Sequence, residues 1–242
     1  MGETLGNREV LEAEIRRLVS PDLAGDFTKA TTVLLSDFPP GPVDAVFFHS
    51  RSFFDAEKQG IFILAADLIK QDKAKYLLIP DSEGERIGGT TTPRETWPGI
   101  SLWTNRLVET LGVERGKILP CPHLIPGEHG FNTKTEAEAF LATSVERGFK
   151  TAVVLTQPHQ IVRAMLGVVK TINQKGLPIN VWCISPQSTD WNKRVKGSQG
   201  MERKPRVEHI QDEIERVLKY QAKGDIASFD ELFAYLTRRD NQ

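Results

Sequence analysis

The chain has 242 residues, with 31 Lys and Arg against 32 Asp and Glu and a formal net charge of −1. That length suits one elaborated α/β core, and the balanced charge leaves no basic surplus for nucleic-acid phosphates or an anionic membrane surface. Nucleic acid and membrane are therefore set aside as partners, and a small-molecule ligand is expected.

The opening residues Met1 to Arg8 carry no apolar run, and no later stretch approaches the roughly 20 apolar residues of a membrane span. Cys121 and Cys183 fall in or beside predicted buried strands, where free cysteine acts as a small apolar residue. Together these features predict a cytoplasmic, reducing setting.

In chain order, Val10, Leu11, Ile15 and Leu18 give a helical period from about Arg8 to Val19, interrupted at Ser20-Pro21. Residues 1–40 are read as a helical extension, with Thr32 to Leu35 in a connecting region before the Pro39-Pro40-Gly41-Pro42 break. Asp44 to Phe48, an aspartate followed by a continuous apolar run, has the mark of a strand buried on both faces. A helix over Lys58–Lys70 and a strand over Tyr76–Ile79 complete a strand-helix-strand unit. Residues 81–99 are rich in Gly, Thr and Pro and too long for an ordinary connection, which predicts a lid or binding loop.

A helix over Leu102–Leu111 and a short strand over Lys117–Leu119 follow. The next helix spans Lys134–Arg147, where Thr133 and Glu136 have the spacing of a capping box and Gly148 marks the end. Thr151–Leu155 and Ile179–Ile184 are strands on either side of a helix over Gln160–Asn173. From Ser185 to Pro205 the chain reads as polar and irregular. Two amphipathic helices close it within residues 205–238, one carrying Val207, Ile210, Ile214 and Val217, the other begun by Ser228 with Glu231. The alternation predicts a single three-layer, Rossmann-like α/β domain over residues 1–242, with a mainly parallel sheet and extra C-terminal helices. Ligands of such sheets bind outside the carboxyl ends of the strands.

Four segments fall there: His49-Ser50 after the first strand, Asp81-Ser82 after the second, Glu128 to Thr133 before the capped helix, and Thr156-Gln157-Pro158-His159 after the fourth. In the last, a hydroxyl, an amide and an imidazole arrive together, and Arg163 follows His159 by one helical turn. They can grip an anion with help from the helix amino terminus, or Thr156 and His159 can merely satisfy that helix start. Glu128, in a loop flanked by glycines, suits a general base or a ribose ligand. Asn132 can touch a ligand, whereas Thr133 and Glu136 are accounted for by reciprocal capping. Asp81 and Ser82 can equally cap a turn. A covalent serine mechanism at Ser50 lacks the Gly-x-Ser-x-Gly elbow. No metal is predicted, since the five histidines show no paired spacing with carboxylates, and no dinucleotide or P-loop fingerprint follows the first strand.

In order, these segments resemble the YdcF-like family, a domain of unknown function that also includes SanA and ElyC. Glu128, Asn132-Thr133 and Glu136 are similar to the family's glutamate and Asn-Thr-x-x-Glu helix start, and Thr151 to Ala164 to its strand, Thr-x-x-His turn and Arg-Ala. The resemblance covers roughly residues 44–185. It departs at His49-Ser50, where the family has a glycine pair, and at Asp81-Ser82-Glu83-Gly84, where it tends to have Ser-Gly-Gly. It implies a Rossmann-like fold and S-adenosylmethionine as a cofactor, and for its membrane-attached members an envelope role that this chain is not expected to share.

The expected function is that of a small-molecule-binding enzyme, a transferase or hydrolase acting on or using a nucleoside-containing or phosphorylated ligand. Glu128 and His159 are its expected catalytic residues; His49, Ser50, Asp81, Ser82, Asn132, Thr133, Thr156, Gln157 and Arg163 are its expected ligand contacts. A non-catalytic metabolite sensor working through the terminal helices, and a phosphoester hydrolase, are the alternatives.

Overall fold

The structure, a computed structural model, describes residues 21–49, 60–81, 99–122, 133–186, 190–196 and 203–241. The helix expected over Arg8–Val19 and the loop between Asp81 and Gly99 lie outside them.

Five strands form the central sheet: β1 Val43–Phe48, β2 Ala74–Asp81, β3 Ile118–Pro122, β4 Thr151–Leu155 and β5 Asn180–Ile184. Their order is β3-β2-β1-β4-β5, and every neighbouring pair is parallel. The apolar runs read from the sequence are these strands, because a parallel sheet covered on both sides must be apolar on both sides. Alternation divides β1 between two cores: Ala45 and Phe47 enter one, Val46 and Phe48 the other.

The helices are α1 Pro21–Leu35, α2 Ile61–Lys70, α3 Ile100–Asn105 with a π-helical continuation over Arg106–Thr110, α4 Thr133–Glu146, α5 Ile161–Lys175, α6 His209–Ala222 and α7 Phe229–Asp240. On one face α2 and α3 meet β1 through a triangle of Phe48, Phe62 and Trp103, with ring centroids 4.4 to 5.6 Å apart. On the other face lie α4 and α5, backed by α1 and α7. The result is the three-layer Rossmann-like arrangement. Among the described residues no helix is long and apolar enough to cross a membrane.

Three local expectations are corrected. Thr32 to Leu35 belong to a helix that begins at Pro21, since proline in a first turn gives up only an N–H that has no intrahelical partner. The hydroxyls of Thr28, Thr31 and Thr32 donate to carbonyls four residues back at 2.8 to 2.9 Å, which satisfies them without help from outside the helix, while Phe27, Ala30 and Leu34 bury its other side in the core. Within the segment read as irregular, β6 Arg194–Lys196 pairs antiparallel with β7 Arg203–Pro205; three-residue strands are too short to show a period. Finally, Thr133 is the first helical residue of α4, and Thr133 and Glu136 each bond a residue on another element, Arg163 and His49.

The sheet's two ends are fixed differently. At the amino ends of β1 and β4, the Asp44 carboxylate accepts from Lys150 N, Thr151 N and Thr151 Oγ1 at 2.8, 3.0 and 3.1 Å. Burial alone would raise the Asp44 pKa, but these donors outweigh it and hold the carboxyl below its ordinary value. The carboxyl ends of the same two strands flank the point where strand order reverses, the place where open α/β sheets have their ligand crevice.

Candidate functional site

Register brings the strand-end residues together. Phe48 pairs with Leu155 and Leu155 with Ile184, so His49, Thr156 and Ser185 are the next residues on three adjacent strands. The Thr156 N–H donates to the Ile184 carbonyl at 3.1 Å, prolonging the ladder. A 3₁₀ turn over Pro158–Gln160 then leads into α5.

His49 is 6 % exposed. Its Nδ1–H donates to Glu136 Oε2 at 2.7 Å, both side chains being buried. Because the partner is a carboxylate, an acceptor, the hydrogen is assigned to Nδ1. Nε2 is buried, with no hydrogen-bond partner among the described residues. The ring lies edge-on to Phe47 with centroids 5.3 Å apart, and Phe47 stacks on Phe140 at 4.9 Å. Glu136 and Phe140 are one turn apart on α4, so one helix face fixes both ring and proton. Capping is thus not the whole role of Glu136; the side chain that sequence reasoning assigned to the helix start holds the imidazole across the core.

Beside His49, Thr156 Oγ1, both amide atoms of Gln157, both amide atoms of Gln160 and Ser185 Oγ are buried without hydrogen-bond partners among the described residues. Gln160 is a site residue that the sequence does not single out, because the helical period over Gln160–Asn173 accounts for it.

His159 takes a different place. Its ring stacks on His209, centroids 5.4 Å apart and planes 27° from parallel. His209 donates from Nε2 to the Val195 carbonyl at 2.9 Å and bonds Asp212 Oδ2 through Nδ1 at 3.1 Å, so α6 and the β6–β7 ribbon cover this side of the crevice. The Lys204 ammonium donates to Asp212 at 2.7 Å. Burial works to raise the Asp212 pKa, yet Lys204 and His209 keep it below the ordinary range.

Arg163 is 5 % exposed, and its guanidinium is already engaged. Nε and Nη2 donate to Glu213 Oε2 and Oε1 at 2.6 and 3.3 Å, and Nη1 donates to Thr133 Oγ1. Arg216 Nη1 reaches Glu213 Oε1 at 2.6 Å. Burial opposes charge on both Arg163 and Glu213, but their mutual attraction raises the pKa of Arg163 and lowers that of Glu213. The expected anion grip is therefore an internal ion pair that ties α4, α5 and α6 together.

Asp81 ends β2 opposite Pro122 and is exposed, on the far side of β1 from Thr156. Ser50, Ser82, Glu128 and Asn132 lie outside the described residues. Among the described residues no three His, Cys, Asp or Glu side chains group as a metal set. A separate cleft of about 950 Å³ runs beside α2, lined by Phe38, Ile63, Leu64, Val153 and Ile184, and meets the strand-end residues at Ser185. Its walls are largely apolar, with Asp67 and Lys73 among the lining residues. The sequence matches no model of a known protein family and no curated protein.

Proposed function

We propose that this chain is a small-molecule-binding enzyme in which His49, oriented by Glu136, is the proton acceptor for a nucleoside-containing ligand held at the carboxyl ends of β1, β4 and β5. The observation that carries the reading is the buried 2.7 Å contact between Nδ1 and a carboxylate, with Nε2 left available at the strand-order reversal. A carboxylate on Nδ1 fixes the tautomer and supports the positive charge that develops when Nε2 takes a proton. The YdcF-like resemblance is part of the proposal and supports an S-adenosylmethionine-like ligand, whose ribose and base suit hydroxyl and amide partners. In one respect the chain differs from what the resemblance implies: His49 stands where that family has glycine. Glu128 remains in the proposal as an acid, base or ribose ligand. The anionic part of the ligand has no support from Arg163, because Glu213 occupies it.

The test is thermal shift with S-adenosylmethionine, S-adenosylhomocysteine, adenosine, nucleotides and sugar phosphates, followed by mass spectrometry of the ligand that shifts. A ligand at 100 times its Kd stabilises the native state by about 2.7 kcal/mol. Glu136→Gln and His49→Gln are expected to retain binding within a few fold while turnover falls on the order of 10² to 10⁴. Unchanged turnover in both variants would remove His49 from the chemistry.

A further inference from the structure

We infer that the crevice selects the uncharged, hydrogen-bonding part of its ligand, a base edge, sugar face or amide, and gives no preference to a phosphate. The inference rests on the ligand-site reading above and adds the chemical class of the group recognised. Its basis is a set of six atoms: Thr156 Oγ1, Oε1 and Nε2 of Gln157, Oε1 and Nε2 of Gln160, and Ser185 Oγ, all buried and without hydrogen-bond partners among the described residues. Thr156, Gln157 and Gln160 are at most 1 % exposed and Ser185 9 %. Native proteins leave few such groups, because each has lost water and gained nothing. Four such residues within one 30-residue stretch, 156–185, therefore mark a place where partners arrive from elsewhere.

The chemistry of the set narrows those partners. Each primary amide offers two donors and an oxygen with two lone pairs, and each hydroxyl both donates and accepts. A phosphate presents acceptors alone at neutral pH and would leave the amide oxygens unmatched, whereas a base edge, a ring of hydroxyls or an amide satisfies both kinds. Charge points the same way. The cation of the first turn of α5, Arg163, is neutralised by Glu213, and the imidazole of His49 faces the Glu136 carboxylate. The remaining buried arginine, Arg206, donates through Nη1 to the Asp190 carbonyl, its Nε is buried without a partner among the described residues, and burial lowers its pKa despite the Asp190 charge.

Two measurements on the full chain decide the matter. The first needs no ligand: thermal melts of Thr156→Val, Gln157→Met and Gln160→Met. If these groups await a ligand, replacing them with apolar side chains of similar shape raises the melting temperature, the exchange of stability for function expected at a binding site. A fall in all three would show that neighbouring segments already satisfy them, and would overturn the inference. The second compares adenosine with adenosine 5′-monophosphate, and glucose with glucose 6-phosphate, by calorimetric titration. The uncharged member of a pair should bind at least as tightly, with an affinity insensitive to added salt, and should lose about 100-fold or more in Gln157→Met. A phosphorylated member that binds about tenfold more tightly overturns the inference while leaving the site in place. If neither pair binds, the melts alone decide, a rise supporting the inference and a fall overturning it. Failure of the proton-acceptor reading is separate: it shows as unchanged turnover in both Glu136→Gln and His49→Gln and leaves the melts of the amide variants unaffected.

Discussion

Arg163 and Glu213 show how far a single residue's role depends on a partner distant in sequence. They stand 50 positions apart; Glu213 keeps Arg163 charged inside the core, and Arg163 and Arg216 together keep Glu213 charged. Breaking a buried pair by removing one partner costs up to about 3–5 kcal/mol, less where Arg216 still donates to Glu213, whereas replacing both with apolar residues of similar volume is close to neutral. Arg163→Met is thus expected to lower the urea midpoint, and Arg163→Met with Glu213→Leu to recover most of the loss. If the double variant proves no more stable than the single one, the cost lies in packing rather than charge. A similar contrast governs what the sequence disclosed. His49, Thr156 and Gln157 were placed by counting to the ends of apolar runs. Glu136 reads in the sequence as a capping residue and Glu213 as part of a solvent-facing helix side, although each interrupts an apolar stripe of its helix: Ala137, Phe140 and Leu141 flank the one, Ile210, Ile214 and Val217 the other. An acidic residue on a buried stripe signals a buried partner, but only the fold says which.

Among the elements, α7 closes the sheet where β5 would otherwise present an open edge. Tyr235 Oη accepts the Val181 N–H at 2.8 Å and Arg239 Nη1 donates to the Val181 carbonyl at 3.1 Å. Arg239 is held by Asp37 at 2.7 Å, linking the strand edge to the chain just after α1. Covering an edge in this way removes a template for pairing with another chain. The helix is started by the capping box of Ser228 and Glu231 that its sequence spacing predicts. Tyr235→Phe leaves the ring in place and orphans the Val181 N–H, so the expected loss is about 1–3 kcal/mol by urea denaturation; a loss below a few tenths would show that the edge group finds water. Strands were legible because five apolar runs have no alternative use. Helix α1 was missed because Pro21 and the threonines drew attention from Leu23, Phe27, Ala30 and Leu34, which recur at helical spacing and pack into the core. The β6–β7 ribbon buries Val195, too little for any pattern.

For the whole molecule, two carboxylates stand at opposite ends of the same architecture and make its stability depend on acid in one direction. Asp44 joins β1 to β4 beneath the crevice, and Glu213 joins α4, α5 and α6 around it. Burial acts against both charges, but donors and arginines prevail, so both folded pKa values lie below the ordinary ones. At low pH the unfolded chain therefore takes up more protons than the folded chain, and stability rises with pH through that range. The contribution is complete above the ordinary carboxylate pKa of about 4 and is lost as pH falls through the lower folded values. The buried thiol of Cys121, pushed up to about 12 by burial, stays protonated throughout and adds no acid dependence. Melting temperature should accordingly be flat from about pH 8 to about pH 5 and fall steeply below about pH 4. In the Arg163→Met, Glu213→Leu double variant one of the two carboxylates is gone, so the fall should be shallower, and in Asp44→Asn shallower again by a separate increment. Circular dichroism melts across that range check the sign: an acid limb of unchanged steepness in the double variant would mean that the buried ion pair does not hold its carboxyl ionised in the folded protein, and that the order of α4, α5 and α6 around the crevice is maintained by apolar packing alone.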